Sequence, residues 1–244
     1  LGANAAGKGV RQLIDMGMSC IHADRHDRGL LLDLPVPENV MLGYQHRPEL
    51  RTKYGFLNQQ AARKMSEEIV ARYRVFPTAL ENTARSFSGG NQQKLVVGRE
   101  LYRKPKVVLI AHPTRGVDVG VSEIIHKSIL ELRAQGAAIL LITADFDELF
   151  KLSDRIGVIY KGSLVELAPS EELFAHPLHP YTRALLSAIP QPDPIHERHK
   201  RLEIYDPHMH DYSVDKPRWA EIEEGHFVFG NDKELKNYEE MVRK

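Results

Sequence analysis

Cysteine occurs once, at position 20. That excludes an internal disulfide and fits a reducing compartment. No apolar run approaches the roughly 20 residues that a membrane-spanning helix needs, and no signal peptide is expected at the start. Neither sign of charge is in excess. Lys+Arg and Asp+Glu both number 33, so there is no global electrostatic case for nucleic acid or an anionic membrane surface as partner. Internal repeats and low-complexity tracts are missing as well. What remains is ordinary for a globular protein: 244 residues, 42% apolar and 27% charged, with ample core for one large or two small domains. The chain opens on Leu1, not methionine, which gives the expectation that residues precede it in the parent protein.

The most informative stretch is Ser88–Asp118, SGGNQQKLVVGRELYRKPKVVLIAHPTRGVD. Serine is a favoured N-cap, and glycines let an anion approach the free N–H groups that open a helix. Asn91–Arg103 reads as a helix with Leu95, Val96, Arg99 and Tyr102 at helical spacing, ended by Pro105. Val107–Ala111 is apolar on both faces and reads as a buried parallel strand. This pattern resembles the signature-to-Walker-B segment of ATP-binding-cassette (ABC) ATPases, in the variant found in importers of simple sugars and nucleosides. SGGNQQK and PTRGVDVG stand in the family's order.

Gly2–Lys8 has the G-x-x-x-x-G-K spacing of a phosphate-wrapping Walker A loop. Gly9 stands where a hydroxyl would serve Mg²⁺. The next stretch, with His22-Ala23-Asp24-Arg25, Gly29-Leu30 and Glu38-Asn39-Val40, resembles the family segment that runs from near the Q-loop into a helical subdomain. Ala23 lies where a polar residue is expected. Only 16 positions (24 − 8) separate Lys8 from Asp24, whereas a βαβ unit alone takes roughly 30. Part of the family core is therefore expected to be missing.

Leu57–Tyr73 reads as an amphipathic helix with Ala61, Met65, Ile69 and Tyr73 on one face. Val121–Arg133 reads as a helix capped by Ser122 and ended at Gln135-Gly136. Ala138–Thr143 reads as a second buried strand and Asp145–Leu152 as a short helix. Arg155–Tyr160 reads as a third strand, turning at Lys161-Gly162 into Ser163–Leu167. Alternating strands and helices indicate a parallel α/β sheet.

From about Pro169 the chain resembles the C-terminal extension of oligopeptide and dipeptide importer ATPases, on PSEELFAHPLHPYTRALLSAIPQPDP, EIYDPHMHDYSVDKP and EEGHFVFGNDKELKNY. Glu171–Phe174 and Tyr181–Ile189 read as helices. Pro190, Pro192 and Pro194 mark an extended linker. His196, His199, His208 and His210 read as solvated or loop-packing residues rather than a metal site. Asp145, Asp147 and Glu148 read as a charged first turn.

The resemblance implies an α/β, P-loop-type parallel sheet flanked by helices. It implies an ATPase-like domain over 1–168, a helical subdomain at about 40–85 and an extension over 169–244. Its implied nucleotide-binding residues are Gly2, Asn4, Gly7, Lys8 and Gly9. The implied signature is Ser88, Gly89, Gly90, Asn91 and Gln92, with Asp118 as the loop aspartate. The implied cofactors are ATP and Mg²⁺. The partners would be a second cassette and transmembrane permease subunits, at the cytoplasmic face of the membrane.

Carried over residue by residue, the catalytic positions depart from the family. Ala111 stands for the Walker B aspartate, His112 for the catalytic glutamate and Ala144 for the switch histidine. The resulting expectation is an importer ATP-binding subunit with a degenerate site of its own, weak or absent Mg²⁺, and an intact signature offered to a partner cassette. Two alternatives stand beside it: an oligopeptide or dipeptide importer ATPase, and a non-catalytic dimerisation module or truncated cassette.

Overall fold

A computed structural model describes residues 4–190, 200 and 202–243. The chain divides into two compact units, Leu1–Ala144 and Asp145–Lys244.

The first unit is built on a parallel three-stranded sheet, β1 (Met18–Ile21), β2 (Val107–Ala111) and β3 (Ala138–Ile142), with β2 in the centre. Val107 pairs with Met18 on one side and with Ala138 on the other. Helix α1 (Val10–Asp15) leads directly into β1, with no strand between them. The helices α2 (Val36–Met41), α3 (Gln59–Arg72), α4 (Gly89–Tyr102) and α5 (Val119–Ala134) complete the unit.

Side-chain caps set where these helices start. Asn58 accepts from the Ala61 N–H at 3.1 Å, and Ser88 caps α4. Asp118, not Ser122, caps α5: its carboxylate accepts from the Val121 N–H at 2.9 Å, while the Ser122 hydroxyl donates back to the Asp118 carbonyl. Both residue types suit a cap, but only the one whose backbone is extended can fill the role, and that is settled by the preceding turn.

Val108 and Ile110 on β2, Leu95, Val96 and Val97 on α4, and Ile125, Ile129 and Leu132 on α5 are buried. Each large aliphatic side chain so placed contributes about 2 kcal/mol. Helices α3 and α4 nearly touch at Gly98, where a Cβ would fall 2.5 Å from the Ile69 side chain. Met65, Ile69 and Tyr73 are buried as the helical spacing predicts. Asn39 explains its own place: its carboxamide accepts from the Leu31 N–H and donates to the Leu31, Leu34 and Pro35 carbonyls, fixing the turn before α2.

The expectation that 138–143 is a buried strand does not hold. β3 is an edge strand, and Leu140 and Ile142 are 57% and 51% exposed. An apolar run reports what a strand could bury, not whether a neighbour covers it.

The second unit is not a continuation of the parallel sheet, which corrects the reading of Arg155–Tyr160 as its third strand. Strands β4 (Arg155–Tyr160), β5 (Ser163–Pro169), β6 (Arg218–Glu223) and β7 (His226–Gly230) form an antiparallel sheet in the order β4-β5-β7-β6. The β4–β5 hairpin turns at Lys161 and Gly162, both with positive φ, as a tight two-residue turn requires. Helices α6 (Phe146–Leu152), α7 (Ser170–Ala175), α8 (Pro180–Ser187) and α9 (Asp232–Val242) belong to this unit. Asp145 caps α6 and Asn231 caps α9.

A buried carboxylate pins the second unit together. Glu166 on β5 is fully buried and accepts from the Leu178 N–H at 2.8 Å, the His179 N–H at 3.0 Å and the His226 ring at 2.8 Å. A buried carboxyl group is tolerable only when hydrogen-bond partners replace water in this way.

Candidate functional site

Three stretches that lie far apart in sequence meet at the start of α4. Ser88 is exposed, and its hydroxyl accepts from the Asn91 carboxamide at 2.9 Å. The Asn91 side chain in turn accepts from the Phe76 N–H at 3.0 Å. The first N–H groups of any α-helix lack intrahelical partners, so Gly89 and Gly90 leave donors open at this end.

Both glycines have close neighbours. A Cβ on Gly89 would lie 2.8 Å from the Arg25 guanidinium, and one on Gly90 would lie 3.0 Å from the Val121 side chain. Arg25 also donates to the Arg115 carbonyl at 3.0 Å. Its charge therefore adds to the positive end of the α4 dipole, and together they favour an anion there.

The surrounding side chains hold this junction. The Gln92 carboxamide oxygen accepts from the His26 ring Nε2 at 2.8 Å, and its nitrogen donates to the Ala84 carbonyl. Gln93 donates to the Pro113 carbonyl at 2.7 Å, tying α4 to the loop after β2. Asp24 accepts from the backbone N–H groups of Asp27 and His26, which hold its carboxyl below the usual range. Asp118, the α5 cap, ends the loop after β2.

Beneath the site, Glu100 is buried and accepts from the Ser19 hydroxyl at 2.5 Å, the Tyr44 hydroxyl at 2.9 Å and Arg99 at 2.7 Å. Burial, reinforced by the Glu100 charge, pushes the Tyr44 phenol up to about 12. Arg99 also donates to the Gly29 and Asn39 carbonyls, linking α4 to the Gly29-Leu30 and Glu38-Asn39-Val40 stretches.

The remaining predicted positions lie elsewhere in the first unit. Gly2 lies outside the described residues. Asn4 to Gly9 form an exposed loop ahead of α1. Three of its N–H groups are engaged locally: Ala6 with the Asn4 side chain at 2.9 Å, Lys8 with the Ala5 carbonyl, and Gly9 with the Gln12 side chain at 3.0 Å. Gly7 has φ +74, which suits glycine. Ala111 ends β2. His112 follows it in the left-handed region at φ 48, with its N–H donating to the Ile142 carbonyl. Ala23 and Ala144 are exposed. Among the described residues, no hydrogen bond joins the Asn4–Gly9 loop to Ala111, His112 or Ala144. Neither Gly9 nor Ala111 carries a side-chain oxygen.

The fold matches two solved ATP-binding cassettes at 20% identity. One, a dimer in a post-hydrolysis state bound to ADP and Pi, has a TM-score of 0.54 and covers 65% of this chain and 66% of that one. The other, an ABC transporter cassette in its ADP conformation, has a TM-score of 0.55 and covers 72% and 71%. In sequence, the chain is 40% identical over 185 residues to the oligopeptide transport ATP-binding protein AmiF of Streptococcus pneumoniae, covering 75% of this chain and 60% of that protein. The chain is thus similar to ATP-binding-cassette proteins in fold and in sequence.

Its sequence similarities run in two directions. It is 38% identical over 163 residues to the guanosine import ATP-binding protein NupO of Bacillus subtilis, covering 66% of this chain and 32% of that protein. The model of the oligopeptide/dipeptide transporter C-terminal region matches residues 165–214. The chain spans about three fifths of the length of the oligopeptide relatives it matches.

Sequence reading had not singled out Arg25 or Gln93 as supports of the signature turn. Arg25 sat inside a matched stretch and Gln93 inside a matched motif, but contacts spanning 90 and 20 residues leave no local pattern. In the tail, His196 and His199 lie outside the described residues. His208 pairs with Asp206 at 2.8 Å. His210 is of the loop-packing kind: its side chain is buried beside Glu234 at 2.6 Å. Among the described residues no helix is long and apolar enough to cross a membrane.

Proposed function

We propose that this cassette is an ATP-binding subunit of an importer and that it acts by presenting Ser88, Gly89 and Gly90 to ATP held on a partner cassette. The observation that carries the reading is the contrast between its two sets of site residues. The helix start at Ser88 is exposed, glycine-lined and flanked by the Arg25 guanidinium. The positions expected to hold metal offer no oxygen, since Gly9 and Ala111 replace the ligands that hard Mg²⁺ prefers. Mg²⁺ therefore does not fit a site built from these residues alone. ATP would enter as a ligand shared with a second cassette, and permease subunits at the cytoplasmic face of the membrane would be the further partners. Phosphoryl transfer depends on positioning and charge stabilisation, which is what a donated helix N-terminus supplies.

The test is ATP turnover in a mixture with a hydrolysis-competent cassette. Ser88→Arg should lower the mixture's rate about tenfold or more, in line with the loss of a positioned donor. An unchanged rate overturns the donor role. The chain alone should show background turnover. Robust Mg²⁺-dependent hydrolysis that survives His112→Ala would overturn the degenerate site.

For the cargo, the match of 165–214 to the oligopeptide/dipeptide region favours peptides over nucleosides or sugars. Uptake assays with reconstituted permease subunits would show peptide-dependent transport. Nucleoside-dependent transport would overturn the choice.

A further inference from the structure

A pocket of about 210 Å³, open to solvent, lies in the first unit between the end of α1, the start of β1 and the segment that joins α4 to β2. Four basic residues line it: Arg47, Arg103, Lys104 and Lys106. Its two acidic lining residues already have partners. Asp15 pairs with His46 at 2.8 Å, and Glu100 accepts from Ser19, Tyr44 and Arg99. Arg47 donates to the Ile14 carbonyl at 3.1 Å, and Arg103 reaches the Met65 sulfur at 3.8 Å. Among the described residues, no carboxylate forms an ion pair with any of the four cations.

Ordered backbone sets these charges in place. The Lys104 N–H closes α4 on the Leu101 carbonyl, with Lys104 in the left-handed region at φ 50. Pro105 is buried, and the Lys106 N–H donates to the Gly17 carbonyl at 2.8 Å. The Lys106 stem then runs across Gly17, where a Cβ would fall 3.3 Å from its Cγ. At the back of the pocket the Arg103 guanidinium lies over the Tyr44 ring at 3.8 Å, and the Tyr44 hydroxyl is held by buried Glu100. The Nε and Nη1 of Arg103 are closed off from solvent, so this residue acts through its charge rather than by contact. Burial, then the Arg47 charge, pull it below the usual arginine range.

A cation at a helix C-terminus is ordinary, because it answers the negative end of the helix dipole, worth about half an elementary charge. Arg103 and Lys104 fill that role for α4. Arg47 and Lys106 come from other segments and bring the total well past what the dipole balances. Charges of one sign around a cleft with apolar walls, here Ile14 and Met18, focus their field into it. An anion bearing several charges would relieve the repulsion among them. Drug-sized ligands fill pockets of roughly 300 Å³ or more, so this smaller volume suits an inorganic anion better than a nucleotide.

We propose that this pocket binds a small, multiply charged oxyanion of the phosphate class, contacted by Lys104, Lys106 and Arg47 and attracted from behind by the charge of Arg103. The pocket is built from residues other than those at the start of α4 and does not rest on the signature reading.

The test combines calorimetry and lysine labelling on the full chain, with inorganic pyrophosphate as the probe. Pyrophosphate should bind saturably at sub-millimolar concentration, and more weakly as added sodium chloride screens the charges. Replacing both lysines, Lys104→Ala with Lys106→Ala, should weaken binding about tenfold or more, as expected for lost charge-assisted hydrogen bonds. Bound pyrophosphate should also slow acetylation of Lys104 and Lys106 severalfold, read by peptide mass spectrometry, while the exposed Lys161 and Lys236 of the second unit keep their rates. ATP at the same concentration should protect the two lysines less than pyrophosphate does. Lack of saturable binding overturns the proposal, as does full affinity in the double variant or equal labelling with and without pyrophosphate. Stronger protection by ATP overturns the choice of a small anion. Because the labelling needs no variant, the proposal stays testable even if the double variant does not fold.

Discussion

The two sheets of this protein handle polar and apolar surface in opposite ways. The parallel sheet of the first unit leaves apolar surface open: β3 ends the sheet with Leu140 and Ile142 more than half exposed. The antiparallel sheet of the second unit takes a carboxyl group inside, where the fully buried Glu166 accepts from the buried His226 ring and from two backbone N–H groups. Changing an exposed apolar side chain such as Leu140 costs little, whereas removing a buried, hydrogen-bonded carboxylate costs a great deal, be it Glu166 on β5 or Glu100 on α4 of the first unit.

Trp219, the only tryptophan, lies on β6, so its fluorescence reports the second unit, while far-UV circular dichroism follows both. The largest expected effect is from Glu166→Ala, which strands the Leu178 and His179 N–H groups and the His226 ring. It should cost about 3–5 kcal/mol in urea melts followed by Trp219. A loss below 1 kcal/mol would refute the keystone role of Glu166.

Next comes pH. The folded-state value of His179, about 4, is below its ordinary 6.5 because burial disfavours the charged ring. The unfolded chain then takes up the proton first. Stability present above pH 6.5 is lost as pH falls towards about 4, by up to about 3 kcal/mol. His179→Asn should flatten that slope in Trp219-monitored melts, and an unaltered slope would refute the assignment.

Gly98→Ala tests the first unit where it is tightest. The added Cβ would meet the Ile69 side chain at 2.5 Å and Tyr73 at 3.1 Å, and should cost about 1–3 kcal/mol of overpacking, read by circular dichroism. The smallest effect belongs to the exposed strand. Leu140→Lys should change stability by less than about 0.5 kcal/mol. A large loss there would mean that β3 is covered.

What could be read in the sequence followed how local its causes are. Ser88 and the two glycines after it, the amphipathic α3 and the Lys161-Gly162 turn are each written within a few residues, and they stand as predicted. The cap of α5 was misplaced by four residues because Asp118 and Ser122 are equally suitable in type. Arg155–Tyr160 was put in the wrong sheet because a strand's composition does not name its hydrogen-bond partner. The β6–β7 hairpin was not foreseen as structure at all. Its anchor, His226, meets Glu166 across 60 residues. The same holds at the candidate site: the motif residues were legible, whereas Arg25 and Gln93, which brace them, were not.

The contact of Arg25 with Gly89 and with the Arg115 carbonyl also constrains how this chain can diverge. Residue 25 is separated by 64 positions from one and by 90 from the other (89 − 25 and 115 − 25). A side chain gained at 89 would push the tip of the guanidinium aside, and the carbonyl at 115 would then need another donor. One arginine thus couples the freedom of position 89 to the turn around 115, across three distant segments.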